Sequence, residues 1–101
     1  MESVLELNLP LDLLAIYCRR NGIRSLALFG SLLHGNAHSQ SDIDLLVDYH
    51  PERKVGLFAI AQMEHELSDL LGRPVELLTA QDLSLYFRDK VLSEAQVLYA
   101  S

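Results

Sequence analysis

The sequence predicts an α/β fold of the α+β kind: a small mixed sheet of three strands packed with three or four helices. Two observations carry this. Apolar residues alternate between helical and strand periodicity in the order helix, strand, strand, helix, strand, helix, and Gly or Pro punctuates nearly every change. The chain has 101 residues, half of them hydrophobic, with no low-complexity tract or repeat, which suits a single domain over residues 1–101. A domain of that length buries roughly two thirds of its unfolded surface without needing disulfides or metals, and only the extreme N-terminus is expected to lie outside the fold.

The first helix is read between Pro10 and Asn21. Leu11, Leu14, Ala15 and Cys18 recur at helical spacing, Arg19 and Arg20 fall in the last turn, and Gly22 follows as a stop. Residues 25–29, SLALF, are almost wholly apolar and end at Gly30, as in a buried strand. Residues 42–49, DIDLLVDY, form a second strand ended by Pro51. Residues 55–71 place Leu57, Ile60, Met63, Leu67, Leu70 and Leu71 at helical spacing before Gly72 and Pro74, giving a long second helix. PVELL at 74–78 is a third strand. Thr79 and Asp82 have the form of an N-terminal cap, so a last helix is expected from there to about Tyr99.

Topology then brings carboxylates together. The connection of about a dozen residues from Gly30 to Asp42 makes the first two strands antiparallel neighbours, and the long helix is a crossover that sets the third strand parallel to the second. The end of the first strand and the starts of the other two therefore share one edge, with Ser31, Asp42, Asp44 and Glu76 as its polar residues. Strand alternation sends Asp42 and Asp44 to one face about 6–7 Å apart. Glu76, two residues into the parallel strand, faces the same volume if the register agrees. Like charges this close repel unless a cation lies among them, and hard oxygen ligands at an open site favour Mg²⁺ or Mn²⁺. Gly30 permits close approach of a ligand to the backbone, and Ser31 offers a hydroxyl and an amide to phosphate oxygens. Solvated acids at a strand start are the plain alternative for the aspartates, an exposed strand residue for Glu76, and an ordinary turn for Ser31.

Gly30-Ser31, ten residues, then Asp42-Ile43-Asp44 resembles the Gly-Ser-x10-Asp-x-Asp signature of the DNA polymerase β type nucleotidyltransferase superfamily. The likeness runs from the first helix through VELLT to the last helix, and the short length is similar to the minimal nucleotidyltransferases. The resemblance implies the minimal nucleotidyltransferase fold and an antitoxin that uses ATP to place AMP on a tyrosine of a partner HEPN ribonuclease toxin encoded beside it. It also implies nucleotide binding by Gly30 and Ser31, with Asp42, Asp44 and Glu76 as catalytic carboxylates and Mg²⁺ ligands. Leu32 stands where the family commonly has Arg, His34 where another Arg is frequent, and Glu76 where Asp is usual. These departures feed an alternative, a degenerate relative that neutralises its partner by binding alone. A stand-alone enzyme acting on a small molecule is a third reading, although a chain with no second domain needs a partner to supply its acceptor.

The remaining features exclude classes. The formal charge is −6 with eight scattered Lys and Arg, so no basic stripe exists for long nucleic acid. No apolar run approaches the ~20 residues of a membrane span, and the acids Glu2 and Glu6 do not suit a signal peptide. One cysteine, Cys18, excludes an internal disulfide and reads as a small buried hydrophobe. A cytoplasmic location is expected. His34 and His38 have Gly35 and Asn36 between them and read as loop residues, not a helical zinc pair. Glu64 and His65 read as part of a solvated helix face.

Overall fold

A computed structural model describes residues 9–30 and 42–101. The elements are α1 (Leu11–Arg20), β1 (Ile23–Phe29), β2 (Ile43–Tyr49), α2 (Leu57–Leu71), β3 (Val75–Leu78), a 3₁₀ turn (Ala80–Asp82), α3 (Leu85–Glu94) and β4 (Gln96–Ala100). The expected mixed fold is present, with four strands in the order β3-β2-β1-β4. β1 pairs antiparallel with β2, and β3 runs parallel to β2.

The expected three-stranded sheet is corrected to four strands, and with it the extent of the last helix. The last helix does not continue to Tyr99. Thr79 and Asp82 do form a capping box, with the Thr79 amide donating to Asp82 Oδ2 at 2.9 Å, yet it closes only the 3₁₀ turn. α3 starts afresh at Leu85, where the Ser84 hydroxyl accepts from the Tyr86 amide, and it stops at Ala95 in extended backbone. The following residues, Val97, Leu98 and Tyr99, are strand formers, and they pair antiparallel with β1.

The core lies on one face of the sheet. Leu26, Leu28, Ile43, Leu45, Val47, Val75 and Leu77 meet Leu14 and Cys18 from α1 and Met63 and Leu67 from α2. The Tyr17 hydroxyl donates to Glu66 across the two helices at 2.6 Å. Burial and that hydrogen bond push the Tyr17 phenol up, while accepting it holds the Glu66 carboxyl below its usual value. α2 also covers the outer edge of β3. Ser68 Oγ accepts from the Val75 amide at 2.9 Å and Glu64 Oε2 from the Leu77 amide at 2.8 Å. Glu64 is therefore not part of a purely solvated face: it satisfies an edge that would otherwise be open to pairing.

The opposite face is crossed by α3. The chain leaves β3 at one edge of the sheet and rejoins it as β4 at the other, and Leu92 and Ala95 stand over Ala27, Leu46 and Val97. No residue of α3 is buried. It is held at its start by Arg88, which donates to the carbonyls of Ala80 at 2.7 Å, Leu83 at 3.2 Å and Gln81 at 3.3 Å.

Candidate active site

The end of β1 and the starts of β2 and β3 meet at one end of the sheet. Phe29 is in register with Asp44, and Asp44 with Glu76. The parallel pairing is fixed from its first residue, where the Ile43 amide donates to the Pro74 carbonyl at 2.8 Å. Since residues in register on adjacent strands lie ~5 Å apart, the Asp44 and Glu76 side chains rise side by side from the face that α3 crosses.

Their proximity has an electrostatic consequence. The Asp44 carboxyl is raised above its ordinary value, first by burial, then by the charges of Glu76 and Asp42, and by its hydrogen-bonding contact with Glu76. Asp42 lies just before β2 and is exposed. It acts on Asp44 through its charge, but among the described residues no group of three or more acids, imidazoles or thiols converges as a ready-made metal cage. The structure thus brings Asp44 and Glu76 together as a close pair with Asp42 beside it. The observed register satisfies the condition the sequence left open for Glu76.

Gly30 completes this edge. Its φ is +85°, and a Cβ there would sit 3.1 Å from Asp44 Cγ and 3.2 Å from Asp44 Cβ. Only glycine combines that backbone with so close an approach to Asp44. Ser31, together with Leu32, His34 and His38, lies outside the described residues.

Mg²⁺ is commonly held by one or two carboxylates with the remaining positions filled by water and substrate phosphates. A mutually repelling acid pair at the open end of a sheet fits that ion, since the cation would offset both the burial and the like charges that raise Asp44. At the same end, Arg73 Nη1 is buried with no hydrogen-bond partner among the described residues, one residue before Pro74.

Two features escaped the sequence. One is Glu64, whose spacing on α2 looks like any exposed acid but whose carboxylate reaches β3. The other is a groove of about 690 Å³ between the sheet and α3, lined by Ala27, Leu46, Leu92 and Val97 with Arg24, Asp48, His50 and Arg53 toward its far end. Its usable signal is the run of strand formers Val97-Leu98-Tyr99, which marks β4 and so carries α3 across the sheet.

Comparison with known proteins agrees with this geometry. A family model described as a nucleotidyltransferase domain matches residues 12–98. The chain is 36% identical over 75 residues to protein adenylyltransferase MntA of Thermococcus cleftensis, covering 74% of each chain. Among solved structures, a toxin–antitoxin crystal structure with AMP-PNP superposes with a TM-score of 0.73 at 23% identity, over 92% of this chain and 75% of that one. A tri-AMPylated Shewanella oneidensis HEPN toxin in complex with MNT antitoxin gives a TM-score of 0.64 at 19% identity, over 90% and 70%. With nearly the whole length matched by the family model, and the register placing Asp44 beside Glu76 and against Gly30, the chain belongs to the nucleotidyltransferase domain family.

Proposed function

We propose that this chain is a cytoplasmic antitoxin that transfers AMP from ATP to a tyrosine hydroxyl of a HEPN-type toxin encoded beside it, and so neutralises that toxin. The observation that carries the reading is the Asp44–Glu76 pair, two in-register carboxylates of which Asp44 is raised by burial and then by the charge of Glu76. Asp42, Asp44 and Glu76 would hold Mg²⁺ or Mn²⁺, which when bound neutralises phosphate charge and stabilises the departing pyrophosphate. Gly30 and Ser31 hold the nucleotide phosphates. Glu76, the more exposed of the close pair, takes the proton of the attacking hydroxyl. The phenolic oxygen forms a bond to the α-phosphorus as the bond to pyrophosphate breaks. The relatives named protein adenylyltransferases support protein as the acceptor. No described helix is long and apolar enough to cross a membrane.

The test is co-expression with the product of the adjacent reading frame, followed by incubation of the purified pair with α-labelled ATP and Mg²⁺. Label on a tyrosine of the neighbour, and relief of its toxicity, is expected. Relief without label would assign neutralisation to binding alone, and pyrophosphate release without any protein acceptor would assign a small-molecule substrate.

A further inference from the structure

Side chains on the face crossed by α3 stack in rows about 6–7 Å apart along the strands. Glu76, Asp44 and Phe29 are register partners in one row. Leu78, Leu46, Ala27 and Val97 form the next, and it is apolar throughout. In the row after that Asp48 stands opposite Ser25. The groove occupies the second and third rows, with Leu92 and Ala95 of α3 as its other wall, and so begins one row below the carboxylates.

We propose that this groove is the acceptor site, receiving a protein segment whose tyrosine ring lies on Leu46, Ala27 and Val97 and whose hydroxyl reaches Asp44 and Glu76. The inference rests on the function proposed above and adds the surface that selects its substrate. Displacement at the α-phosphorus is in line, so the entering oxygen arrives opposite the departing pyrophosphate. Gly30 ends β1 on the far side of the carboxylate row from the groove. With the phosphates at Gly30, the nucleophile enters from the groove. The apolar row is about as deep as a phenol ring is long, so a tyrosine spans it, whereas a serine or threonine would have to bring its backbone into the carboxylate row. Charge complementarity defines the rest of the segment. Arg24 is neutralised by Asp48, while His50 and Arg53 at the far end have no carboxylate partner among the described residues. An acidic side chain following the tyrosine suits that end.

The experiment follows the methyl resonances of Ala27, Leu46, Leu92 and Val97 and the amides of Gly30, Asp44 and Glu76 by NMR of the full chain. AMP-PNP with Mg²⁺ is added first, then acetyl-Tyr-Glu-amide. The nucleotide is expected to shift the amides and leave the groove methyls in place, and the peptide to shift the methyls. Replacing Glu by Lys in the probe should weaken it. Filling the groove by Ala27→Leu, or by Val97→Phe at an exposed position where folding is not at risk, should weaken the peptide at least about tenfold and leave AMP-PNP within about twofold. Groove methyls that respond to AMP-PNP alone would make this the nucleotide's base site and overturn the proposal, as would methyls that ignore the peptide. Peptide binding in the groove with no nucleotide response at Gly30, Asp44 or Glu76 would instead overturn the function proposed above, and the acceptor role with it.

Discussion

Replacing Gly30 by alanine separates the two costs that meet at the end of β1. The first is backbone strain: a φ of +85° in a residue with a Cβ costs ~1–2 kcal/mol. The second is contact, because the new methyl would run into the Asp44 carboxylate Oδ2 and lie 3.1 Å from Asp44 Cγ and 3.2 Å from Asp44 Cβ, the last held in place by the β2 backbone. Forcing a methyl into such a space costs ~1–3 kcal/mol, so the whole loss is about 2–5 kcal/mol. Gly72 provides the control. Its φ is +74° at the C-terminal cap of α2, and a methyl added there would meet nothing within 4 Å, so Gly72→Ala carries the strain alone.

Urea unfolding measures both, and a double-mutant cycle isolates the contact. In an Asp44→Ala background the carboxylate is gone, so Gly30→Ala should lose about 1 kcal/mol less stability than in the wild type. Activity should separate the glycines more sharply. Since displacing a catalytic group by ~1 Å can cost ~100-fold, Gly30→Ala should nearly abolish AMP incorporation while Gly72→Ala leaves it close to normal. Equal stability losses at the two glycines, no coupling to Asp44, and retained transfer by Gly30→Ala would refute the close approach of Gly30 to the Asp44 carboxylate.

Other outcomes follow from the same geometry. Mg²⁺ or Mn²⁺ should raise the melting temperature, by the equivalent of roughly 2.7 kcal/mol at 100 times the dissociation constant, and Asp44→Asn should weaken that rise. The fold holds the Asp44 proton more tightly than the unfolded chain does, so without metal its contribution to stability falls as pH rises from the ordinary 3.8 through the raised value. Asp44→Asn should therefore be the more stable protein near neutral pH, with its advantage shrinking toward pH 3 in thermal melts at varied pH. Burial pushes the Cys18 thiol up to about 11 from an ordinary 9.0, which alone cuts its thiolate about 100-fold at pH 8, so iodoacetamide labelling should track unfolding in denaturant. Glu64→Ala should cost about 1.5–3 kcal/mol in urea unfolding by stripping the acceptor from the Leu77 amide, against under ~0.5 kcal/mol for the exposed Asp69→Ala.

Much of the site was legible because strand geometry converts spacing into position. Asp42-Ile43-Asp44 and the crossover helix were enough to bring the starts of β2 and β3 to one edge, while the register that sets Asp44 opposite Glu76 was left open by topology and is seen only in the strand pairing. Gly30 was legible as a place of close approach, although the partner in that approach, the Asp44 side chain itself, is a product of the pairing of β1 with β2 and is not local in sequence. Glu64 was illegible for the same reason. Its exposure pattern on α2 is that of a surface acid, and only the parallel docking of β3 brings the Leu77 amide within 2.8 Å of it.

The groove is hidden in the sequence by the segment that follows Thr79. Thr79 and Asp82 give a true capping signal, and with apolar residues scattered through 83–99 it extends a helix one strand too far. It is β4 that fixes the place of α3. The α2 connection carries the chain outward from β2 to β3, and the α3 connection carries it back across β2 and β1 to β4. Crossovers between parallel strands are right-handed, and two right-handed crossovers that travel in opposite directions cover opposite faces of the sheet. With α2 on the core face, α3 has to cross the face that bears Asp44 and Glu76. This placement also accounts for the composition of α3, whose Leu85, Tyr86 and Phe87 are 78%, 94% and 62% exposed and whose anchor is Arg88 on three carbonyls, with no buried apolar stripe. A helix with one tight apolar stripe would close onto Leu46 and Ala27 and fill the space beside the carboxylates. One tethered at its start by a guanidinium leaves that space open, as the acceptor role proposed for the groove requires.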